Sequence, residues 1–411
     1  MATRAHALRA LGSRNYRLYF GGQLVSVIGT WMQQVALSWL VYQMTHSAMM
    51  LGIVAFCGRI PSFALTPFAG LLADRFNRHR LLIVTQTFAM LQGFAMAALT
   101  LSGKEQLWEL IALALVLGVV RSFDVPVRQS FVPEMIERAE DLPNAIALNS
   151  SVMNGARLIG PMVAGAVIAV LSVGACFLID AVSYLAVLAA LVAMRVPERE
   201  VRHSGRNPIA DLREGLRYAF GAPEIRAILT LLAIVSLVGQ PYVVLLPIYA
   251  TQLLNGGAAA LGYLTAAGGI GALIGVGYLA SLPDARGLGS VLPLSAVCFG
   301  AGLIAFSFSR LLPLSMACLV LAGVGMMLGT AASNTVLQTI VADHMRGRVM
   351  AFYTLSVMGM IPIGGLLEGT LAHLVGAAVT TGTSGVIVAL AGLWFAWKLP
   401  QLKEALARGG A

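Results

Sequence analysis

The chain has 411 residues, 58% hydrophobic and 11% charged, with a formal charge of +9 at neutral pH. Mean hydropathy is +0.83. Soluble domains carry about 25% charged residues, so this composition excludes a soluble protein and points to one embedded in a lipid bilayer. The basic excess does not indicate nucleic acid, because its distribution along the chain has another source.

Apolar runs fall near residues 17–43, 48–72, 80–101, 107–127, 144–171, 175–194, 224–253, 260–281, 288–308, 312–334, 348–372 and 376–398. Each has the length a helix needs to cross a hydrocarbon core of about 30 Å. Twelve spanning helices are therefore expected, with short connections. The exception is 195–223, a charged linker in which Pro208 to Phe220 places Ile209, Leu212, Leu216 and Ala219 at steps of three and four, as on a surface helix. The division expected is a six-helix bundle over 1–194, a linker over 195–223 and a second six-helix bundle with a short tail over 224–411.

Of the 27 Lys and Arg, Lys104 and Arg310 fall in one set of alternating loops, and Arg59, Arg121 and Arg157 inside spans. All the others lie in the opposite loops and the termini. Basic loops stay in the cytoplasm, so both termini are expected there, and topology explains the net charge. The four cysteines (57, 176, 298, 318) and six histidines are scattered through the chain. They indicate neither a disulfide framework nor a metal site. The first apolar run is too long for a cleavable signal peptide and carries Gln23, Gln33 and Gln34.

The junction of spans 2 and 3 reads Gly70-Leu-Leu-Ala-Asp74-Arg75-Phe-Asn77-Arg78-His-Arg80. So tight a basic hinge belongs at the cytoplasmic surface. Its order resembles the loop signature of the major facilitator superfamily. Asn77 replaces the usual Gly, a mild departure because Asn also suits a left-handed turn. The resemblance implies two pseudo-symmetric six-helix bundles, and implies that Asp74 lies against the start of span 11 near Arg348. A faint repeat agrees: Val127-Arg-Gln129-Ser-Phe-Val132 is similar to Val336-Leu-Gln338-Thr-Ile-Val341. Such parallel repeats characterise that superfamily. Asp343, Arg346 and Arg348 form the corresponding charged turn of the second half.

The order Arg121…Asp124…Pro126…Arg128-Gln129, then Asn144…Ser150…Asn154…Arg157…Gly160-Pro161, narrows the resemblance. It is similar to the transmembrane secretion effector branch, which includes siderophore exporters and macrolide efflux proteins. Arg121 and Asp124 are spaced to pair on one helix face, and the resemblance links this region to proton coupling or to a cytoplasmic gate. Gly155, Gly160, Pro161 and Gly165 interrupt span 5, and the resemblance associates that element with proton-coupled exporters. Close packing of a kinked helix explains it equally.

Several polar groups inside spans are candidates for substrate or coupling sites. On span 1, Gln23, Ser26, Thr30 and Gln33 make a polar stripe, as a cavity wall requires. Arg157 sits near the middle of span 5 with Asn154 and Ser150 on helical spacing, and Arg59 precedes Pro61 on span 2. A buried arginine keeps its charge and needs an anion or a wet cavity. Asp180 and Glu368 lie toward the outer ends of their spans, where partial solvation is expected, and are candidate proton sites. Span 7 adds Ser236 and Gln240, and span 10 adds Asn334. The glycine-rich run from Gly268 to Gly277 lacks a preceding strand and reads as helix packing, not as a dinucleotide loop.

These features together indicate a secondary active transporter, monomeric, in the bacterial inner membrane. It is expected to export an amphiphilic small molecule of the drug or siderophore class by alternating access, driven by a proton gradient, with no other cofactor and no enzymatic activity. An importer or carrier of lipid-like substrates on the same scaffold is the alternative. A membrane enzyme or sensor would need a catalytic cluster or a soluble domain, and the chain offers neither.

Topology can be tested directly. In a cysteine-free background, Ser102→Cys and Asn255→Cys should react with an impermeant thiol reagent in intact cells, whereas Asn77→Cys and Ser204→Cys should not. Labelling of Asn77→Cys would reverse the orientation.

Overall fold

The computed structural model describes residues 8–196, 208–281 and 288–409, with side chains undescribed at 66–75, 208–213, 215, 343 and 399–409. Among the described residues, regular structure is helical throughout. Twelve helices among these residues are long and apolar enough to cross a membrane. In chain order, α1 (Arg14–Thr45), α2 (Ala48–Arg75), α3 (Arg78–Ser102), α4 (Leu107–Phe131), α5 (Leu142–Val170) and α6 (Val173–Ala193) form the first six crossings. The linker contributes α7 (Pro208–Gly221).

The seventh crossing is not a regular helix. It runs as α8 (Pro223–Ile234), a π turn (Val235–Gly239), a 3-10 segment (Gln240–Leu245), one α turn (Leu246–Ile248) and a second π turn (Tyr249–Leu253). Pro241 and Pro247 withhold backbone donors there. Three regular helices follow, α9 (Gly257–Ala280), α10 (Leu288–Phe308) and α11 (Leu312–Ile340). The eleventh crossing comprises α12 (Asp343–Thr354) and α13 (Met360–Val375), joined by a π turn at Leu355–Gly359, and α14 (Ala377–Gly409) ends the chain.

Two compact units emerge, Met1–Thr45 with Cys57–Ser204, and His46–Phe56 with Gly205–Ala411. The start of α2 joins the second unit because Gly52 lies against the backbone of α13: a Cβ there would stand 2.7 Å from the Gly365 carbonyl oxygen.

Within each unit, glycines set the closest helix contacts. A Cβ on Gly118 of α4 would stand 2.6 Å from the Gly58 carbonyl oxygen of α2, and in the second unit Gly323 of α11 meets the Gly268 carbonyl of α9 in the same way. Gly93 of α3 packs on Ala181 of α6, as Gly300 of α10 packs on Gly385 and Ala389 of α14. Lipid tails are as apolar as side chains, so hydrophobic burial hardly drives helices together in a bilayer and close small-residue packing does. The paired contacts give the faint sequence repeat its structural meaning. Large apolar side chains such as Val170, Phe308 and Trp397 point outward, as a lipid-facing surface requires.

One end of the first unit is closed by a core of Tyr16, Tyr19, Leu82, Val127, Phe131, Met135, Val187 and Leu191. Around it, the Tyr16 hydroxyl donates to the Ala145 carbonyl at 2.7 Å and Arg9 pairs with Asp141 at 3.1 Å. Asn77 does not take the left-handed conformation its position suggested. Its φ is −62°, and its side chain caps α3 by accepting from the Arg80 amide at 3.1 Å. Capping uses Asn as readily as left-handed turns do.

Filling one of the close contacts should be costly. Gly118→Val is expected to destabilise the protein by about 1–3 kcal/mol through overpacking, seen as a lower melting temperature in detergent. Gly155→Ala, with nothing within 4 Å of the added carbon, should leave it unchanged.

Candidate functional site

The polar stripe of α1 is not a cavity wall. Gln23, Ser26 and Gln33 are buried, and each of the two glutamines bonds to a neighbouring helix. Gln33 donates to Gln92 of α3 at 2.9 Å, Gln23 accepts from Arg128 of α4 at 3.0 Å, and Thr30 meets the Tyr184 hydroxyl of α6 at 3.4 Å. With no water in the hydrocarbon, polar side chains find partners on adjacent helices. A periodic stripe therefore marks a packed face as readily as a wet one.

Asp124 does not pair with Arg121. Its carboxylate takes Arg128, one turn further on, at 3.2 Å, and accepts from Thr85 at 2.9 Å and Gln86 at 2.7 Å. The result is a buried network, Gln23–Arg128–Asp124–Thr85/Gln86, spanning α1, α3 and α4. Thr85, Gln86 and Gln92 were not among the residues singled out from sequence. Amides in an apolar span were the available signal.

Arg121 is thereby left to other company. The Gly58–Gly118 contact brings Arg59, next to Gly58, toward Arg121, one turn beyond Gly118. Arg59 lies in the electrostatic field of both Arg121 and Arg157. Arg157 reaches the same region from α5: its guanidinium stands 5.8 Å from the centroid of the Trp31 ring of α1. Three residues further on, Gly160 packs against the Trp31 side chain and the Ile28 carbonyl. Gly160 and Pro161 do not interrupt the helix, since α5 is continuous from Leu142 to Val170. They let α1 approach it. Arg59 is exposed and the other two are partly exposed. Asn154 donates back to the Ser150 carbonyl at 2.9 Å on this side of α5.

Asp180 and Glu368 are not solvated. Asp180 is 0% exposed, and neither carboxylate oxygen has a hydrogen-bond partner. It faces Gly29, where a Cβ would stand 2.6 Å from its Oδ1, and Arg121 contributes the cationic field around it. The absent side chain at Gly29 lets α1 seal the carboxyl inside the bundle. In the second unit Glu368 of α13 is 2% exposed. It accepts from Ser384 of α14 at 2.6 Å, while its other oxygen has no partner.

At the charged turns, the side chains of Gly70, Asp74, Arg75 and Asp343 lie outside the described residues, so the expected contact of Asp74 is not among those seen. Arg78 pairs with Glu134 at 2.9 Å and donates to the Ser130 carbonyl at 3.1 Å, tying the start of α3 to the segment after α4. Arg348 pairs with Glu214 of α7 at 3.0 Å, and Arg346 is exposed. Gln240 donates to Ser236 at 3.1 Å, and Asn334 accepts from Gln338 at 2.6 Å. Met326 and Ser333 line a cavity of about 20 Å³, room for one water and not for a drug-sized ligand.

Breaking the buried pair should unbalance it. Asp124→Ala strands the Arg128 charge and is expected to cost about 3–5 kcal/mol. Asp124→Ala combined with Arg128→Leu should recover much of that loss. Thermal unfolding of the two single variants and the double variant in detergent measures the coupling.

Comparison with known proteins agrees with this architecture. The chain is similar to the staphyloferrin A transporter of Staphylococcus aureus (strain NCTC 8325 / PS 47), at 27% identity covering 90% of this chain and 92% of that protein. It is also similar to the multidrug efflux pump Tap of Mycolicibacterium fortuitum, at 28% identity with coverage of 90% and 92%. Its fold resembles the crystal structure of the POT family transporter PepTSo, with a TM-score of 0.71 over 95% of this chain and 99% of that one, at 12% identity. The transmembrane secretion effector family model matches residues 5–408, which with twelve apolar helices in two internally similar units means that the chain belongs to that family of major facilitator transporters.

Proposed function

We propose that this protein is a secondary active exporter of the bacterial cytoplasmic membrane, with both termini inside. In this reading it exchanges protons for an amphiphilic small molecule of the drug or siderophore class by alternating access. The names of its relatives, an efflux pump and a siderophore transporter, support the substrate class and the direction.

Asp180 is the observation that carries the coupling. An ionised carboxylate in a sealed, partnerless site costs several kcal/mol, whereas the neutral acid costs far less. The described geometry therefore suits the protonated group. A rearrangement of α1 against α6 that lets water reach the acid favours release of the proton. Protonation and conformation are then linked equilibria, each shifting the other. Proton energy enters through this acid.

Reconstitution in liposomes with an imposed pH gradient tests the proposal, with ethidium and a hydroxamate siderophore as trial substrates. The wild-type protein should drive gradient-dependent movement that a protonophore abolishes. Asp180→Asn, which mimics the neutral acid, should fold normally. It should reduce gradient-driven movement by about tenfold or more, equivalent to at least about 1.4 kcal/mol of lost coupling. Wild-type coupling by Asp180→Asn would remove this acid from the mechanism, and indifference of the wild-type protein to the gradient would remove proton exchange altogether.

A further inference from the structure

We infer that Glu368 is a proton-binding site of the second unit, independent of Asp180, and that hydroxyls along α14 connect it to the end of the unit where α13 turns into α14. The use of this site rests on reading the chain as a proton exchanger. It deepens that reading by giving each unit a proton of its own.

The segment of α13 that carries Glu368 is enclosed on three sides. Gly364 packs against the Leu237 carbonyl and the Pro241 ring of the seventh crossing. Gly369 faces the start of α2, where its Cβ would stand 2.7 Å from the Ala48 carbonyl oxygen. From α14 the Ser384 hydroxyl donates to one carboxyl oxygen at 2.6 Å, and the second oxygen has no partner. An ionised carboxylate shut away from water needs a counter-ion or several donors, and one hydroxyl does not supply them. The neutral acid needs far less. This packing therefore holds the group with its proton.

No counter-charge reaches it. The seventh crossing carries Tyr242 and Tyr249, His46 precedes α2, and His373 lies near the end of α13 itself. Lys398 of α14 is about four turns beyond Ser384. Arg310, in the turn before α11, donates to the Ser307 and Ser309 carbonyls. Among the described residues, none of these groups bonds to Glu368. Nor is Glu368 a copy of Asp180. It sits on the eleventh crossing, whose counterpart in the first unit is the fifth, whereas Asp180 is on the sixth.

A row of polar groups leads to the acid. Ala377, Thr381 and Ser384 fall at steps of four and three, on one face of α14. Ala377 opens that helix, and its carbonyl accepts from the Tyr249 hydroxyl at 3.5 Å. Thr381, one turn on, is fully buried, and its hydroxyl has no hydrogen-bond partner. Ser384, a turn further, holds Glu368. Polar groups kept inside a span at such cost mark ion and proton paths.

Infrared spectroscopy of the full-length protein in phosphatidylcholine bilayers tests this, because a neutral carboxyl absorbs apart from a carboxylate. Exposed carboxyls are ionised at neutral pH and silent in that region. Glu368→Gln should remove one component of the wild-type neutral-acid signal and leave that of Asp180, which also reports a folded variant. Asp180→Asn should do the opposite. Ser384→Ala should shift the Glu368 component without abolishing it. In wild-type protein made by cell-free synthesis with 13C-labelled glutamate, that component should move in frequency, an arm that depends on no variant folding. After transfer to heavy water, Thr381→Val should slow its deuteration by about tenfold or more, and leave the Asp180 component unaffected. A neutral-acid signal that neither Glu368→Gln nor glutamate labelling alters would overturn the proton site. An unchanged deuteration rate in Thr381→Val would overturn the hydroxyl path. None of these measurements uses a gradient or a substrate. Flux indifferent to the gradient, with the glutamate component present, would discard the exchanger and keep this site. Gradient-driven flux without that component would do the reverse.

Discussion

The backbone contact of Gly118 with Gly58 holds the organisation of the first unit in place. Helices in a bilayer gain little from hiding apolar surface, because the lipid is as apolar as they are. They close instead where the absence of side chains lets backbones touch. In this protein such contacts recur at Gly93 with Ala181 and at Gly160 with Trp31. The placement of the three intramembrane arginines follows from them, since Arg59, Arg121 and Arg157 each sit within one turn of a glycine that makes a close contact. Enlarging one of those glycines would move a guanidinium without touching it.

A second constraint acts on everything polar. Without water in the hydrocarbon, each amide, hydroxyl or carboxylate needs a partner from the protein. Gln23, Gln33, Gln86 and Gln92 meet this need across helix boundaries, and Asp124 gathers three donors around it. Among the described residues, three carboxyls have at least one buried oxygen outside this pattern, Glu105 just before α4, Asp180 in α6 and Glu368 in α13, and of these Asp180 and Glu368 lie inside spans. Of the buried polar groups left without a partner, only a carboxyl can take up and release a proton, so protonation can be tied to movement there.

The spans, a helix within the linker at Pro208–Gly221 and the three intramembrane arginines were legible in the sequence, because length, hydropathy and an isolated charge are local properties. The partners of those charges were not. Arg121 and Asp124 have the spacing of a helix pair, yet Thr85 and Gln86 on a neighbouring helix and Arg128 one turn away outcompete Arg121. That outcome depends on how α3 is rotated against α4, which no local pattern encodes. Asp180 misled for a related reason. Its depth along α6 suggested contact with water, and what seals it is the missing side chain of Gly29, on a different helix. The polar face of α1 was correct in periodicity and misleading in meaning, since a stripe does not declare whether water or another helix stands opposite.

The π turns at Val235–Gly239, Tyr249–Leu253 and Leu355–Gly359 belong to the second unit, whereas the matching stretches of α1 and α5 are unbroken α-helix. A π turn loosens the regular ladder of backbone bonds and lowers the resistance of a helix to bending. Elastic compliance is therefore concentrated in one half of a duplicated architecture and intramembrane cationic chemistry in the other. Duplication frees each copy from doing both tasks. A substitution that changes the buried polar pairs of the first unit therefore leaves the loosened backbone of the second untouched, and the converse holds as well.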